Sequence, residues 1–454
     1  MFNKCTTINV NPYISSKVYF FNTPDSRAYI CNETTHENIL LKAESSDLWH
    51  IILTTKDYKK IIEFAKSKNL ENELETFLKQ LEYHDVISTG NKDITESSNS
   101  LTVNVPKSDQ ESFERDREKF FYKHNLFTEL FFELTYKCNL KCIHCFNEKN
   151  QISEENLSFE DIKKIIDEAY NLGLYKVTLS GGECTLARDF LKTIKYIREK
   201  RLVLEIFTNG QTLYDNPELL QEILDVYPNK ISLSLYSMNP EIHDKITGVA
   251  GSHKKTIEII KLLKEKNIYV TIKSFQLNLN FTEHKAIVDF AKQTGTNLTI
   301  DTYLVLNKSK NNCNNKLTDE QLKFLANDKN SLYFVDNFKP HEINEKFLNS
   351  PICLATCNAL TINPTGDIYP CPTMCIKLGN IKNQTIKEIL NSQQVKEIRL
   401  KKKKDLSECF KYDYCKFCLY CQGIALRENG YLKKSDVCCQ NAKIKNEIYN
   451  KIHN

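Results

Sequence analysis

From Phe127 to about Thr302 the chain alternates short β-type runs with longer segments whose apolar positions recur every three or four residues. The β-type runs are LFFELTY (130–136), KVTLSG (176–181), VLEIFTNG (203–210), KISLSLYS (230–237), IYVTIKSF (268–275) and NLTIDTYL (297–304). Helical stretches such as FEDIKKIIDEAYNLG and SHKKTIEIIKLLKEKN lie between them. Six strand-then-helix repeats predict an α/β fold: a parallel sheet with its helices outside, curved into a partial (β/α)6 TIM-like barrel over residues 126–305. Chemistry in such folds gathers at the C-terminal ends of the strands.

The flanks read differently. Residues 8–42 carry short β-type stretches broken by Asn, Pro and Asp. Apolar residues at helical spacing follow, among them Ile61, Ile62, Phe64 and Ala65, then Leu74, Phe77, Leu78 and Leu81. A hairpin followed by helices is the element order of a winged helix, so residues 1–90 form a winged-helix-like module. Residues 91–125 are polar and read as a linker. Residues 306–350 bridge the barrel to residues 351–445, which are loop-rich and cysteine-rich.

Apolar content of 41% and charged content of 26% are those of an ordinary globular chain. A formal net charge of +4 over 454 residues advertises no nucleic-acid partner. The start lacks the basic and apolar regions of a signal peptide, and no run of about 18 apolar residues could span a bilayer. These features predict a cytoplasmic protein with no membrane partner. Cysteine changes the picture: there are 17, of which three fall in 138–145 and ten between Cys353 and Cys439. A cytosolic chain keeps such thiols reduced, and clustered thiolates bind soft metals, with zinc and iron–sulfur as the contenders.

Cys138, Cys142 and Cys145 directly follow the first barrel strand. Their C-x3-C-x2-C spacing lets one loop wrap one cubane and leaves one iron open for a chelating cofactor. A zinc site lacking its fourth ligand is the other reading. With its surroundings, this segment resembles the radical S-adenosylmethionine (SAM) superfamily over residues 127–305. Gly181-Gly182-Glu183 resembles the family's GGE motif, which holds the methionine amino group. Thr208-Asn209-Gly210 resembles a second cofactor-contacting turn, and Ser234 sits where a polar contact to the methionine carboxylate is expected. The resemblance makes the three cysteines the catalytic cluster's ligands. The segment His243-Asp244-x-x-Thr247-Gly248-x-x-Gly251-Ser252 follows the pattern of the peptide-modifying branch. Two positions depart: Cys184 replaces a common proline, and Tyr236 stands where Asp or Gly is frequent. Cys184 reads as a buried small hydrophobe, and His144 as a neighbour of the cluster rather than a ligand.

The segment Thr361-Ile-Asn-Pro-Thr-Gly366-Asp-Ile-Tyr-Pro-Cys371, followed by Leu378-Gly379-Asn380-Ile381, resembles a SPASM domain. That resemblance implies two auxiliary 4Fe–4S clusters, one on Cys353, Cys357, Cys371 and Cys421 and one on Cys409, Cys415, Cys418 and Cys438. The middle cysteines are spaced C-x5-C-x2-C-x2-C instead of the usual C-x2-C-x5-C-x3-C, so Cys375 or Cys439 could substitute. Zinc is the alternative occupant of both sites.

Residues 1–110 hold 12 Lys and Arg against 15 Asp and Glu, contrary to a phosphate-binding surface. The module, with a SPASM enzyme behind it, resembles the leader-recognition element of maturases of ribosomally made peptides, in particular the subtilosin-type sactipeptide enzymes. Such elements take an extended peptide as an added strand. The resemblance implies a radical SAM oxidoreductase that abstracts hydrogen from a precursor peptide through a 5′-deoxyadenosyl radical and closes thioether links. Its partners would be a precursor peptide with an N-terminal leader and a reductant such as flavodoxin or ferredoxin. Carbon–carbon crosslinking, epimerisation and sulfatase-maturase-type oxidation use the same opening step. A DNA-binding iron–sulfur redox sensor is the alternative from another class.

Overall fold

The computed structural model describes residues 13–14, 18–22, 28–32, 37–41, 43–55, 58–83, 86–88, 102–104, 127–147, 156–305, 312–406 and 408–453. Contacts divide the chain into two compact units, Met1–Thr128 with Tyr170–Tyr175, and Glu129–Ala169 with Lys176–Asn454.

In the first unit β1 (Tyr13–Ile14), β2 (Val18–Asn22), β3 (Ala28–Asn32) and β4 (Glu37–Leu41) precede helices α1 (Ala43–Thr55), α2 (Tyr58–Ser67) and α3 (Glu71–Tyr83). β5 (Ile87–Ser88) then pairs antiparallel with β1. Ile61 and Ala65 of α2, and Leu74, Phe77, Leu78 and Leu81 of α3, bury with Ile30, Ile39 and Trp49 in one core, which is what their helical spacing requires. One strand lies in the stretch read as linker: β6 (Thr102–Asn104) pairs antiparallel with β4, giving a sheet ordered β2-β3-β4-β6. Its β-branched Thr102-Val103 pair was the available signal. The remainder of 91–125 lies outside the described residues.

The second unit is built on β7 (Glu129–Thr135), β8 (Lys176–Gly181), β9 (Val203–Thr208), β10 (Lys230–Ser234), β11 (Val270–Phe275) and β12 (Asn297–Asp301), each parallel to the next. Successive strand residues point to opposite faces. Val177, Leu179, Leu204, Ile206, Ile231, Leu233 and Ile272 are buried on the helix side, each such side chain stabilising the fold by about 1.5–3 kcal/mol. The alternate positions carry Glu133, Glu205, Ser232, Ser234, Lys273 and Asp301 beside Phe131, Phe207 and Phe275, so the concave face sets polar groups among aromatic rings. At its lower end, Glu205 accepts from Ser232 Oγ at 3.0 Å and pairs with Lys176 at 3.2 Å and Lys230 at 3.0 Å. Burial works to raise the Glu205 value, and the two lysines more than offset it, leaving it below the usual carboxylate range.

The sheet does not end at β7. β13 (Ala359–Ile362) adds parallel to it, with Ala359 opposite Glu129 and Ile362 opposite Phe132, and β14 (Asp367–Tyr369) and β15 (Gly379–Asn380) continue antiparallel. The cysteine-rich region is thus hydrogen-bonded onto the first barrel strand. In the bridging region Leu322, Leu325, Ala326, Tyr333 and Val335 form one core with Val437, Cys438, Ala442, Ile444 and Ile448 of the helix Asp436–His453. Among the described residues no helix is long and apolar enough to cross a membrane.

Candidate active site

A cavity of about 440 Å³ opens at the C-terminal ends of the barrel strands. Cys138, Cys142 and Cys145 line it from the loop after β7, and Gly181 and Gly182 from the end of β8. Thr208 and Asn209 line it from β9, and Ser234 from β10.

Glycine is required where the loop crosses β8. Gly181 has φ +129°, and a Cβ there would lie 2.2 Å from the Thr135 carbonyl oxygen; one on Gly182 would lie 2.4 Å from that of Lys137. The absent side chains let Gly182 N donate to Thr135 O at 2.7 Å and Glu183 N to Lys137 O at 2.9 Å, which staples the cysteine loop to the strand. On its other side the loop is clasped by the segment after β10. Lys141 N donates to Thr247 O at 2.8 Å and Ile143 N to Ile246 O at 3.0 Å. Asp244 shapes that clasp by accepting from Gly251 N, Ser252 Oγ and His253 N at 2.5–2.9 Å. The residues of the 243–252 pattern therefore hold the cysteine loop in place.

Glu183 does not line the cavity. It is buried and accepts from Thr185 Oγ1, Thr208 Oγ1 and Asn209 N, each at 2.7 Å, and from Thr185 N at 3.3 Å. Burial raises its value, while these donors oppose the rise. Its carboxylate is spent on the β9 turn, where Asn209 Nδ2 reaches Asn139 Oδ1 at 2.7 Å and Cys138 Sγ at 3.9 Å. Gly210 also stands back from the cavity: it starts the next helix at φ +80°, against Leu233. Cys184 is buried and donates to the Phe207 carbonyl at 3.2 Å. His144 packs edge-on to Tyr236, with centroids 4.6 Å apart, and stacks on Phe275 at 5.6 Å.

Sequence reading missed four titratable groups on the cavity wall: Glu133, Tyr136, Lys273 and Asp301. Glu133, Lys273 and Asp301 are charged residues at inward positions of apolar strands, a signal that alternation could have exposed. Burial pushes Glu133 up to about 7, while the Tyr136 hydrogen bond and Arg427 pull the other way. The Lys273 ammonium lies 5.4 Å from the Phe207 ring centroid, its value lowered by burial. Burial also raises Asp301, against the Tyr303 N–H that it accepts at 2.8 Å.

The C-terminal thiols gather in two sets. Burial pushes Cys371 up to about 11, with Cys353 and Cys421 adding to the rise, and Cys353 acts likewise on Cys357. Cys409, Cys415, Cys418 and Cys439 line a second cavity of about 790 Å³. Cys439, rather than the expected Cys438, completes that wall. The two are neighbours on one helix and point about 100° apart. Cys438 is fully buried in the core with Tyr333, Ala442 and Cys418, pushed up to about 12 by burial; it also leads the thiols that raise Cys418, ahead of Cys439. Cys375 is exposed and lines neither cavity. Among the described residues no three His, Cys, Asp or Glu side chains form a group that could hold a single metal ion.

A partial parallel barrel with three thiols in one loop at its mouth, extended by a thiol-rich region, is the architecture of an iron–sulfur enzyme. Residues 132–291 match the Radical SAM superfamily model, and residues 353–422 match SPASM, an iron–sulfur cluster-binding domain. The antilisterial bacteriocin subtilosin biosynthesis protein AlbA of Bacillus subtilis is 28% identical over 325 residues, 67% of this chain and 69% of AlbA. A probable GTP 3′,8-cyclase of Thermococcus kodakarensis is 33% identical over 173 residues, 37% of this chain and 54% of that protein. Among solved structures, Streptococcus suis SuiB bound to precursor peptide SuiA shares the fold with a TM-score of 0.57 at 17% identity, covering 94% of this chain and 99% of SuiB. The chain is a radical SAM enzyme with a SPASM domain, and S-adenosylmethionine and 4Fe–4S clusters are its cofactors.

Proposed function

We propose that the chain is a peptide maturase that forms thioether links between cysteine sulfur and carbon atoms of a ribosomally made precursor peptide. The observation that carries this reading is the cavity, with three thiols on one wall and Pro372 of the SPASM region on another. Its volume falls within the about 300–1,000 Å³ typical of ligand sites. AlbA is named for subtilosin biosynthesis and SuiB is solved with a precursor peptide, and both support a peptide substrate.

Cys138, Cys142 and Cys145 would hold the catalytic cluster, and Gly181, Gly182, Thr208, Asn209 and Ser234 would contact S-adenosylmethionine. Bound there, the two supply reductive cleavage to a hydrogen-abstracting 5′-deoxyadenosyl radical. Glu183 and Gly210 act by shaping the turn that carries Thr208 and Asn209. Glu133 is poised to take the proton from a peptide thiol at its carboxylate, because a base near 7 is matched to neutral pH. Cys353, Cys357, Cys371 and Cys421 would hold one auxiliary cluster and Cys409, Cys415, Cys418 and Cys439 the other, and the electron released as the thiolate closes the C–S bond would have its acceptor there. In the first unit a leader peptide would add as a strand. Among the described strands the sheet ends in β2 on one side and β6 on the other, and these two are the edges on which it would add. A cytoplasmic setting and a flavodoxin or ferredoxin reductant complete the reading.

Anaerobic co-expression with a Cys-rich peptide encoded beside the gene, followed by mass spectrometry, tests it. Thioether formation removes two hydrogens per link and protects those cysteines from alkylation. Loss of hydrogens with every cysteine still alkylated would instead establish carbon–carbon crosslinking. A DNA-binding redox sensor would leave S-adenosylmethionine uncleaved by the reduced protein.

A further inference from the structure

Lys445 lies on the buried face of the helix Asp436–His453, at helical spacing from Cys438, Asn441, Ala442 and Ile448. A lysine in such a stripe normally extends its ammonium to water. Here the side chain is 0% exposed. Its Nζ stands 3.1 Å from the Phe338 ring centroid and 4.3 Å from that of Tyr333, and it has no hydrogen-bond acceptor. Two ring faces offset only part of the cost of burying a cation. Among the described residues no carboxylate pairs with it, while Cys418 packs into the same core as Tyr333 and Phe338. Burial pushes the ammonium down to about 7, and Cys418 is the charged group that works against that fall.

The ring cage is fixed from the catalytic side. One turn before Lys445, Asn441 Oδ1 accepts from Tyr333 Oη at 2.5 Å and from Thr302 Oγ1 at 3.2 Å. Thr302 follows Asp301, which lines the S-adenosylmethionine cavity.

We propose that Lys445 is a positioning residue for the second auxiliary cluster, its buried ammonium balancing the negative charge of the thiolate-bound group at Cys418 and raising that group's reduction potential. The inference rests on a cluster being held by Cys409, Cys415, Cys418 and Cys439. A nearby cation favours the reduced, more negative state, because charge and hydrogen bonding at the sulfurs set such potentials.

The test is an EPR-monitored redox titration of the anaerobically reconstituted full chain, comparing wild type with Lys445→Met, Lys445→Arg and Cys418→Ser. Lys445→Met is expected to keep its iron and to move one auxiliary signal to lower potential. At the wild-type midpoint its reduced-to-oxidised ratio falls about tenfold, which is ~59 mV for a one-electron couple. Lys445→Arg retains the wild-type midpoint. Loss of that one cluster in Lys445→Met, with retention in Lys445→Arg, supports the same role. An unmoved midpoint in Lys445→Met at full iron content overturns the proposal. A Cys418→Ser protein that loses neither iron nor a signal overturns the cluster assignment itself.

Discussion

Tyr136 donates a 2.9 Å hydrogen bond to the buried Glu133 carboxylate on the cavity wall. Because burial raises Glu133 from 4.5 to about 7, the folded chain binds a proton that the unfolded chain has released between those values. The resulting stability is fully present below about pH 4.5 and is lost as pH rises through 7. Glu133→Gln should therefore flatten the melting-temperature profile over that window and raise stability at pH 8 by up to about 3 kcal/mol. Thermal melts at matched iron content check this, and an unchanged slope would remove Glu133 as the cause. Its thioether-forming rate should also lose the component that rises through pH 7.

Glu183 supports a prediction of a different kind, since its carboxylate accepts four hydrogen bonds and none of its oxygens lines the cavity. A charged acceptor contributes about 1.5–3 kcal/mol per bond. Glu183→Gln weakens those bonds and opposes an amide N–H₂ to donors, which releases the Thr208–Asn209 turn. S-adenosylmethionine affinity measured by equilibrium binding should fall at least about tenfold, with the iron content of the protein unchanged. Loss of iron in parallel would mean that Glu183 holds the cysteine loop instead.

The barrel was legible because each strand alternates, and the cysteine loop because its spacing is compact and follows a strand. Other features depended on partners far away in sequence. β13 is four residues long, and its partner β7 lies more than 200 residues earlier, so no local pattern could announce the continued sheet. Cys438 and Cys439 are chemically equivalent on paper, and only the helix's orientation separates a core thiol from a cavity thiol. Lys445 reads as one more solvated lysine until the helix face it occupies is known.

That orientation predicts opposite outcomes for the adjacent cysteines. Cys439→Ala should lose about a third of the iron, the share of one cluster in three, and one auxiliary EPR signal. Cys438→Ala should keep its iron and show only the modest destabilisation of a trimmed core side chain, on the order of 1–2 kcal/mol. Iron and sulfide analysis of the two purified variants reads this directly. If Cys438→Ala is the one to lose iron, the expected Cys438 assignment returns.

Gly182 offers the narrowest geometric test, because the three atoms nearest to a Cβ placed there are all backbone. A Cβ there would stand 2.4 Å from Lys137 O and 2.7 Å from Tyr136 O, and backbone carbonyls, of which Lys137 O is held by the Glu183 N–H, cannot rotate away as a flexible side chain would. The loop bearing Cys138 would have to lift from β8, breaking the Gly182 N to Thr135 O and Glu183 N to Lys137 O bonds that staple it. Gly182→Ala should therefore abolish S-adenosylmethionine cleavage by the reduced protein while the auxiliary clusters, whose proposed ligands lie in 353–439, keep their EPR signals. Displacement of a reacting centre by about 1 Å is enough for a loss on the order of a hundredfold. Wild-type cleavage in this variant would mean that the loop reaches its working position without the staple, and the close approach of residues 135–137 to β8 would then be packing alone.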